Sequence, residues 1–252
     1  HQVSLLTLAP HDEIPFYPLD PKIQLIQLSQ STSKQTSIKR LYNIIKRIVT
    51  LRKALKMLKP EVCVSFVDLM NVTTLIATLG LKIPIIVSER THPAYHSLDR
   101  FYQLLRNIFY PKAHTVVVQT NSVADFFKNL SNVCIIPNAI ILPPKTKQLS
   151  NHNLEKIISV GRLCPFKGFD TLIQAFASLV KKYPYLTLTI YGEGTERQNL
   201  ENLIHSLNLD GKVFLPGVTN NVQEKLLHAD LFVFPSRYEG FPNALCEAMA
   251  VG

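Results

Sequence analysis

The chain has 252 residues, 46% of them hydrophobic, and a formal net charge of +9. That composition excludes a disordered class and is enough for one large domain or two ordinary ones. No apolar run approaches the roughly 18 residues of a membrane span. The cysteines Cys63, Cys134, Cys164 and Cys246 are scattered without a Cys-x-x-Cys pair or zinc-spaced His, so they read as buried thiols of a cytoplasmic protein.

The charge is uneven. Residues 1–150 hold 18 Lys and Arg against 8 Asp and Glu, whereas residues 151–252 hold 9 against 10. The basic excess therefore belongs to the first half and favours an anionic surface or acceptor there, such as a membrane or a phosphorylated lipid. No RNP-like, helix-turn-helix or zinc-finger pattern supports a nucleic-acid partner.

"HQVSLLTLAP" reads as a strand, and the expectation from its residues is neither an initiator Met nor a signal-peptide pattern in this stretch. "SIKRLYNIIKRIVTLRKALKMLKP" predicts a long helix over 37–59, with Leu41, Ile44, Ile45, Ile48, Leu55 and Leu58 at helical spacing. All its charges are positive: Lys39, Arg40, Lys46, Arg47, Arg52, Lys53, Lys56 and Lys59. Two readings stand open, a sheet-covering helix with a solvated basic face and a helix lying on anionic headgroups. "VCVSF", "PIIVSE", "TVVVQT" and "VCIIPN" then read as short strands between helices. "NAIILPPKTKQLSNHN" is Pro-rich and polar, a linker. Strands resume with "KIISVG", "LTLTIYG", "KVFLPG" and "LFVFPS", alternating with helices at Phe169–Lys182, Thr195–Leu207, Val222–His228 and Pro242–Ala250. The expected fold class is α/β: two Rossmann-like domains facing a cleft, at 1–140 and 154–252, joined by a linker at 141–153. Ligands of such sheets sit at the carboxyl ends of the strands.

Three strand exits carry candidate chemistry. In "SVGRLCPFKGFD", Gly161 turns and Arg162 and Lys167 follow, two cations that suit a polyphosphate. In "LTLTIYGEGTER", Gly192 and Gly194 open a helix; Arg197 stands where a third dinucleotide-binding glycine would be, so the turn argues for close approach of a ligand to backbone rather than for NAD. Thr195 is the expected N-cap there. In "SRYEGFPNALCEAMAVG", Glu239 precedes a helix and Glu247 lies inside it, with Pro242 in the first turn. A helix N-terminus attracts an anion, and carboxylates on either side accept bonds from hydroxyls. Phosphates flanked by hydroxyls describe a nucleotide sugar.

"GRLCPFKGFDTLIQAF", "IYGEGTERQNLENLIHSLNLDGKVFLPG" and "ADLFVFPSRYEGFPNALCEAMAVG" resemble glycosyltransferase family 4, retaining enzymes of the GT-B fold. The first half, through "LKPEVCVSF", "IPIIVSERTHP", "AHTVVVQT" and "IPNAI", is more loosely similar to its bacterial polysaccharide and glycolipid members. The resemblance implies that the second domain binds a nucleotide sugar, UDP-linked by expectation, and the first a glycan or lipid-linked acceptor. Arg162 and Lys167 match the pair that neutralises the leaving diphosphate. Glu239 matches the residue facing the donor sugar, and Glu247 the one that binds ribose hydroxyls. Backbone N–H groups of Gly240, Phe241, Pro242 and Asn243 would reach diphosphate and sugar, and Leu215 and Pro216 would lie near the base. His92, with His96 behind it, is the candidate for a first-domain His that touches the donor sugar. No metal or other cofactor is expected, and the chain holds no Asp-x-Asp pair. The resemblance further implies that both domains are incomplete in this chain, with a strand, glycine loop and helix missing before His1 and further elements after Gly252. The expected place of action is the cytoplasm, peripheral at the inner face of the plasma membrane. A non-catalytic nucleotide-sugar binder and a GT-B-like sugar-nucleotide epimerase remain the alternative readings.

Overall fold

Every strand pair is parallel, as apolar strands alternating with helices require. A computed structural model describes residues 2–10, 13–15, 18–28, 37–95, 99–144, 146 and 154–252, with the backbone alone for residues 37–41. The chain divides into two units, His1–Ile136 and Pro137–Gly252.

In the first unit β1 (Val3–Thr7) pairs with β2 (Ile23–Gln27) as a two-stranded sheet. After α1 (Ser37–Leu58) come β3 (Cys63–Phe66), α2 (Asp68–Ala77), β4 (Ile85–Ser88), α3 (Arg100–Phe109), β5 (Thr115–Val118), α4 (Asn121–Phe126) and β6 (Val133–Ile135). The strands β3-β4-β5-β6 form one sheet in chain order. Its core is Val72, Leu75, Ile85, Val87, Tyr110, Val116 and Val118.

Helix α1 buries Leu51 and Leu55 against Ala77, with Ile48, Leu6, Leu28, Cys63 and Ile83 packed around them. It is thus the element at which both sheets of the unit share apolar contacts. Two expectations change here. Ile45 is 53% exposed, because it stands about 100° around the helix from Ile44 and falls off the Ile48–Leu51–Leu55 stripe. Arg52 is not a solvated cation: its guanidinium donates to the carbonyls of Ala77 and Leu79, each at 2.7 Å, and so satisfies the end of α2. The side chain of Leu41 lies outside the described residues. The opposite face exposes Lys46, Lys53 and Lys56 beside Tyr42, Ile45 and Val49.

The second unit runs β7 (Lys156–Val160), α5 (Phe169–Lys182), β8 (Thr187–Tyr191), α6 (Arg197–Ser206), β9 (Val213–Gly217), α7 (Val222–Leu227), β10 (Leu231–Phe232) and α8 (Asn243–Val251). Its sheet order is β10-β7-β8-β9. Successive connections leave β7 on one side and return to β10 on the other, so the order reverses between β7 and β10. Crevices for ligands open at such a switch point, outside the carboxyl ends of the strands. Leu163, Phe169, Ile173, Leu188, Ile190 and Leu200 are among the residues of the core.

Several boundaries differ from the sequence reading, three of them near the strand exits. Helix α6 begins at Arg197 with Glu196, not Thr195, at the N-cap, because the Glu196 N–H is drawn to the Leu163 carbonyl at 2.9 Å. Pro242 is the N-cap of α8 rather than its first helical residue. The expected strand "LFVFPS" keeps its ladder only at Leu231 and Phe232, after which Val233 N–H still donates to Ile158 O at 2.9 Å. Part of the expected linker, residues 145 and 147–153, falls outside the described residues.

Candidate functional site

The exit loops of β7 and β10 flank the switch point, and the second unit's candidate charges gather there. Gly168 takes φ +69°, and a Cβ on it would lie 2.2 Å from the Pro235 carbonyl oxygen. Only glycine lets loop 161–168 come this close to the exit of β10. Across that contact Lys167 Nζ meets Glu239 Oε1 at 2.6 Å, with side chains 16% and 19% exposed. The same ammonium lies 5.6 Å from the Phe234 ring centroid and 5.9 Å from that of Phe166, a cation held in an aromatic cup. Arg162 is exposed. Burial pushes the Cys164 thiol up, while Arg162 and Lys167 pull it down and Glu239 raises it, so these three charges surround one loop.

Glu239 is followed by Gly240, Phe241 and Pro242, all half-buried, and then by α8. The expectation that amides 240–243 serve as a row of donors needs correction. Pro242 has no N–H, and Asn243 N–H donates to Phe241 O at 3.0 Å. No side chain caps the start of α8, so its anion-attracting amides are those of Ala244 and Leu245. Asn243 Oδ1 accepts from Asn138 Nδ2 at 2.7 Å. Glu247 is half-buried one turn into α8, and desolvation alone pushes its carboxyl up.

The glycines of the β8 exit lie against the backbone of the neighbouring loop. Gly192 has φ +145°, and a Cβ on it would lie 1.9 Å from Gly161 O; a Cβ on Gly194 would lie 2.2 Å from Leu163 O. Their missing side chains admit the neighbouring loop's backbone, so they shape the Arg162 loop. Leu215 and Pro216 lie inside β9, before its last residue Gly217. Pro216 cannot donate to the ladder, and the pairing of β8 with β9 shifts register between Thr189 and Tyr191. Leu215 O accepts from Arg197 at 3.2 Å, and Arg197 is also bonded to Glu193 and to Glu201.

His92 belongs to the first unit, in the turn beyond β4. Ala94 N–H donates to its Nδ1 at 3.2 Å, which assigns the ring proton to Nε2, and Nε2 donates to Ser122 Oγ at 3.1 Å. The Tyr95 ring lies 4.9 Å away. His96 is outside the described residues. Among the described residues no cluster of three His, Cys, Asp or Glu could hold a metal, and no helix is long and apolar enough to cross a membrane.

Residues that the sequence did not single out join the two loops. Arg237 donates to both oxygens of Asp170, at 2.7 and 3.0 Å, and to Pro165 O, and its N–H donates to Phe166 O at 2.8 Å. The Phe166 and Tyr238 rings stack at 5.1 Å. No spacing rule reveals such partners; the only signal is an Arg two residues before the glutamate.

Residues 144–252 match the family described as glycosyl transferases group 1, and residues 6–110 match the glycosyltransferase family 28 N-terminal domain. An uncharacterized glycosyltransferase of Methanocaldococcus jannaschii is 32% identical over 83% of this chain and 58% of its own length. The GalNAc-alpha-(1->4)-GalNAc-alpha-(1->3)-diNAcBac-PP-undecaprenol alpha-1,4-N-acetyl-D-galactosaminyltransferase of Campylobacter jejuni is 29% identical over 99% of this chain and 68% of its own. The chain spans roughly half to two thirds of the length of these relatives and of a second Campylobacter jejuni transferase. Sucrose-phosphate synthase from Thermosynechococcus elongatus aligns with a TM-score of 0.82 at 17% identity, over 100% of this chain and 69% of its own. The Anabaena protein HepE, in complex with UDP and glucose, aligns at 0.69 and 19%, over 91% and 66%. The fold is therefore α/β with parallel sheets, shared with glycosyltransferases of the GT-B class.

Proposed function

Taking residues 144–252 as a glycosyl transferases group 1 unit, with its charges at the sheet's switch point, we propose a retaining glycosyltransferase of family 4. It moves a sugar from a UDP-linked donor to a glycan or lipid-linked acceptor in cell-surface polysaccharide or glycolipid synthesis. The observation that carries the reading is the Lys167–Glu239 contact of 2.6 Å, set between two strand exits and beside an uncapped helix start. The relatives' names and the UDP held by HepE support the donor and acceptor classes.

In the proposed reaction Arg162, Lys167 and the first amides of α8 neutralise the diphosphate as the bond from the sugar's anomeric carbon to it breaks and the electron pair leaves with phosphate. An acceptor hydroxyl attacks that carbon from the same face, and its proton passes to a diphosphate oxygen. Glu239 orients the sugar, and Glu247 accepts from ribose hydroxyls. Neither glutamate acts as a nucleophile, and no metal takes part. The exposed basic and apolar face of α1 (Lys46, Lys53, Lys56, Tyr42, Ile45, Val49) rests on anionic lipid at the cytoplasmic side of the plasma membrane.

The test is release of UDP from a panel of UDP-sugars, with and without acceptor glycans, in the presence of a chelator. Acceptor-dependent release is expected. Binding without release marks a nucleotide-sugar binder, interconversion without acceptor marks an epimerase, and binding that needs added metal overturns the reading.

A further inference from the structure

We infer that Arg237 is a positioning residue that holds the cation loop and the carboxylate loop of the second unit in register. The inference rests on the donor-site reading for its catalytic consequence, though not for its geometry. Arg237 belongs to the exit of β10, two residues before Glu239. Every acceptor it reaches belongs to the exit of β7 or the start of α5: Pro165 O, both Asp170 oxygens and Thr171 Oγ1 at 3.3 Å, with its own N–H on Phe166 O. Pro165 and Phe166 immediately precede Lys167. One planar fork therefore ties residues 165–171 to residue 237, and the Phe166–Tyr238 stack closes the same seam.

These bonds lie on the flank of the Lys167–Glu239 contact and set its spacing from both ends. The guanidinium, on a side chain 45% exposed, bonds to this loop-to-loop seam, and its inferred role is through Glu239. Lys would supply charge from one nitrogen, without the fork that here serves Pro165 O from Nη1 and Asp170 from Nη2.

The consequence is selective. UDP alone draws also on α8 and Glu247, which keep their own anchors when Arg237 is lost, whereas Arg162 and Lys167 share the loop that the seam steadies. The transferred sugar draws on Glu239, whose placement depends on the seam.

The experiment compares the full chain with Arg237→Ala, Arg237→Lys, Glu239→Gln and the double variant Arg237→Ala/Glu239→Gln. Turnover is expected to fall at least about tenfold in both Arg237 variants, a larger factor than the change in UDP affinity. In the Glu239→Gln background, Arg237→Ala is expected to change turnover by less than about twofold, because the residue it serves is already gone. An Arg237→Ala turnover within twofold of wild type, or an effect that multiplies in full with Glu239→Gln, overturns the inference. Hydrogen exchange gives a readout independent of activity: Arg237→Ala is expected to speed exchange at 162–168 and 236–241 while the strands keep their protection. Unchanged loop exchange overturns the seam. A wild-type chain that binds no nucleoside diphosphate removes the donor-site reading, and the exchange result then decides the seam by itself.

Discussion

Replacing Glu239 by Gln is expected to tighten UDP while abolishing most transfer. Lys167 and Glu239 are bonded at 2.6 Å and each is more than four-fifths buried. A diphosphate competes with that carboxylate for one ammonium, and the displaced carboxylate then faces a second anion. Charge-assisted hydrogen bonds contribute about 1.5–3 kcal/mol, and exposed ion pairs about 0–1 kcal/mol. The partial exposure here places the pair between them, at about 1–2 kcal/mol. Since about 1.4 kcal/mol is tenfold in affinity, Glu239→Gln is expected to bind UDP roughly 5- to 30-fold more tightly. Calorimetric titration of the full chain with UDP measures this, and UDP release with donor and acceptor measures turnover, expected to fall on the order of 100-fold with the loss of a group that recognises the transition state. Unchanged or weaker UDP binding would show that the pair is not in competition with phosphate, and that Lys167 is a structural cation.

Arg162→Ala or Lys167→Ala is expected to lower turnover on the order of 10- to 100-fold and UDP affinity less, because charge on the diphosphate grows as the bond breaks; equal losses would mean uniform binding. Glu247→Gln is expected to raise the melting temperature of the ligand-free chain at neutral pH and to weaken UDP. The folded carboxyl is raised by burial, so ionisation costs stability above the folded pKa, and that cost is relieved as pH falls through it. Asp170 has the opposite sign. Its hydrogen bonds with Arg237 hold its carboxyl below the usual range, so their contribution is present above the unfolded pKa and is lost as pH falls through the folded one; Asp170→Asn is expected to flatten that acid limb of the stability curve. Reversing Lys46, Lys53 and Lys56 to Glu is expected to release the chain from anionic vesicles, each cation near such a surface contributing about 1 kcal/mol; equal flotation of wild type with neutral vesicles would leave the basic face merely solvated.

The parts of this fold that obey a period were legible. Helix α5 spans the residues that its apolar spacing predicts, Phe169–Lys182, and the parallel order of β7 to β9 follows from apolar strands alternating with helices. Boundaries set by tertiary hydrogen bonds were not. Thr195 has the composition of an N-cap, yet the Leu163 carbonyl moves the start of α6 to Arg197. Arg47 and Arg52 read as surface cations, but Arg52 satisfies the end of α2 and the Nε of Arg47 is buried. At the candidate site, composition pointed to Lys167 and Glu239, which meet. Arg237 escaped notice because its partner Asp170 is 67 residues away, across a switch in strand order that no local pattern encodes.

The aromatic cup around Lys167 divides the site's response to electrolyte. Mobile ions screen charges that they can surround, with a Debye length of about 10 Å at 0.1 M. Arg162 stands in that atmosphere. Lys167, walled by Phe166 and Phe234 and bonded to Glu239, is largely outside it. Added salt therefore weakens the capture of a passing anion at the rim, where Arg162 works, much more than the grip on one already seated. Across changes in ionic strength, the rate of arrival at this site shifts while the lifetime of what has arrived stays nearly constant.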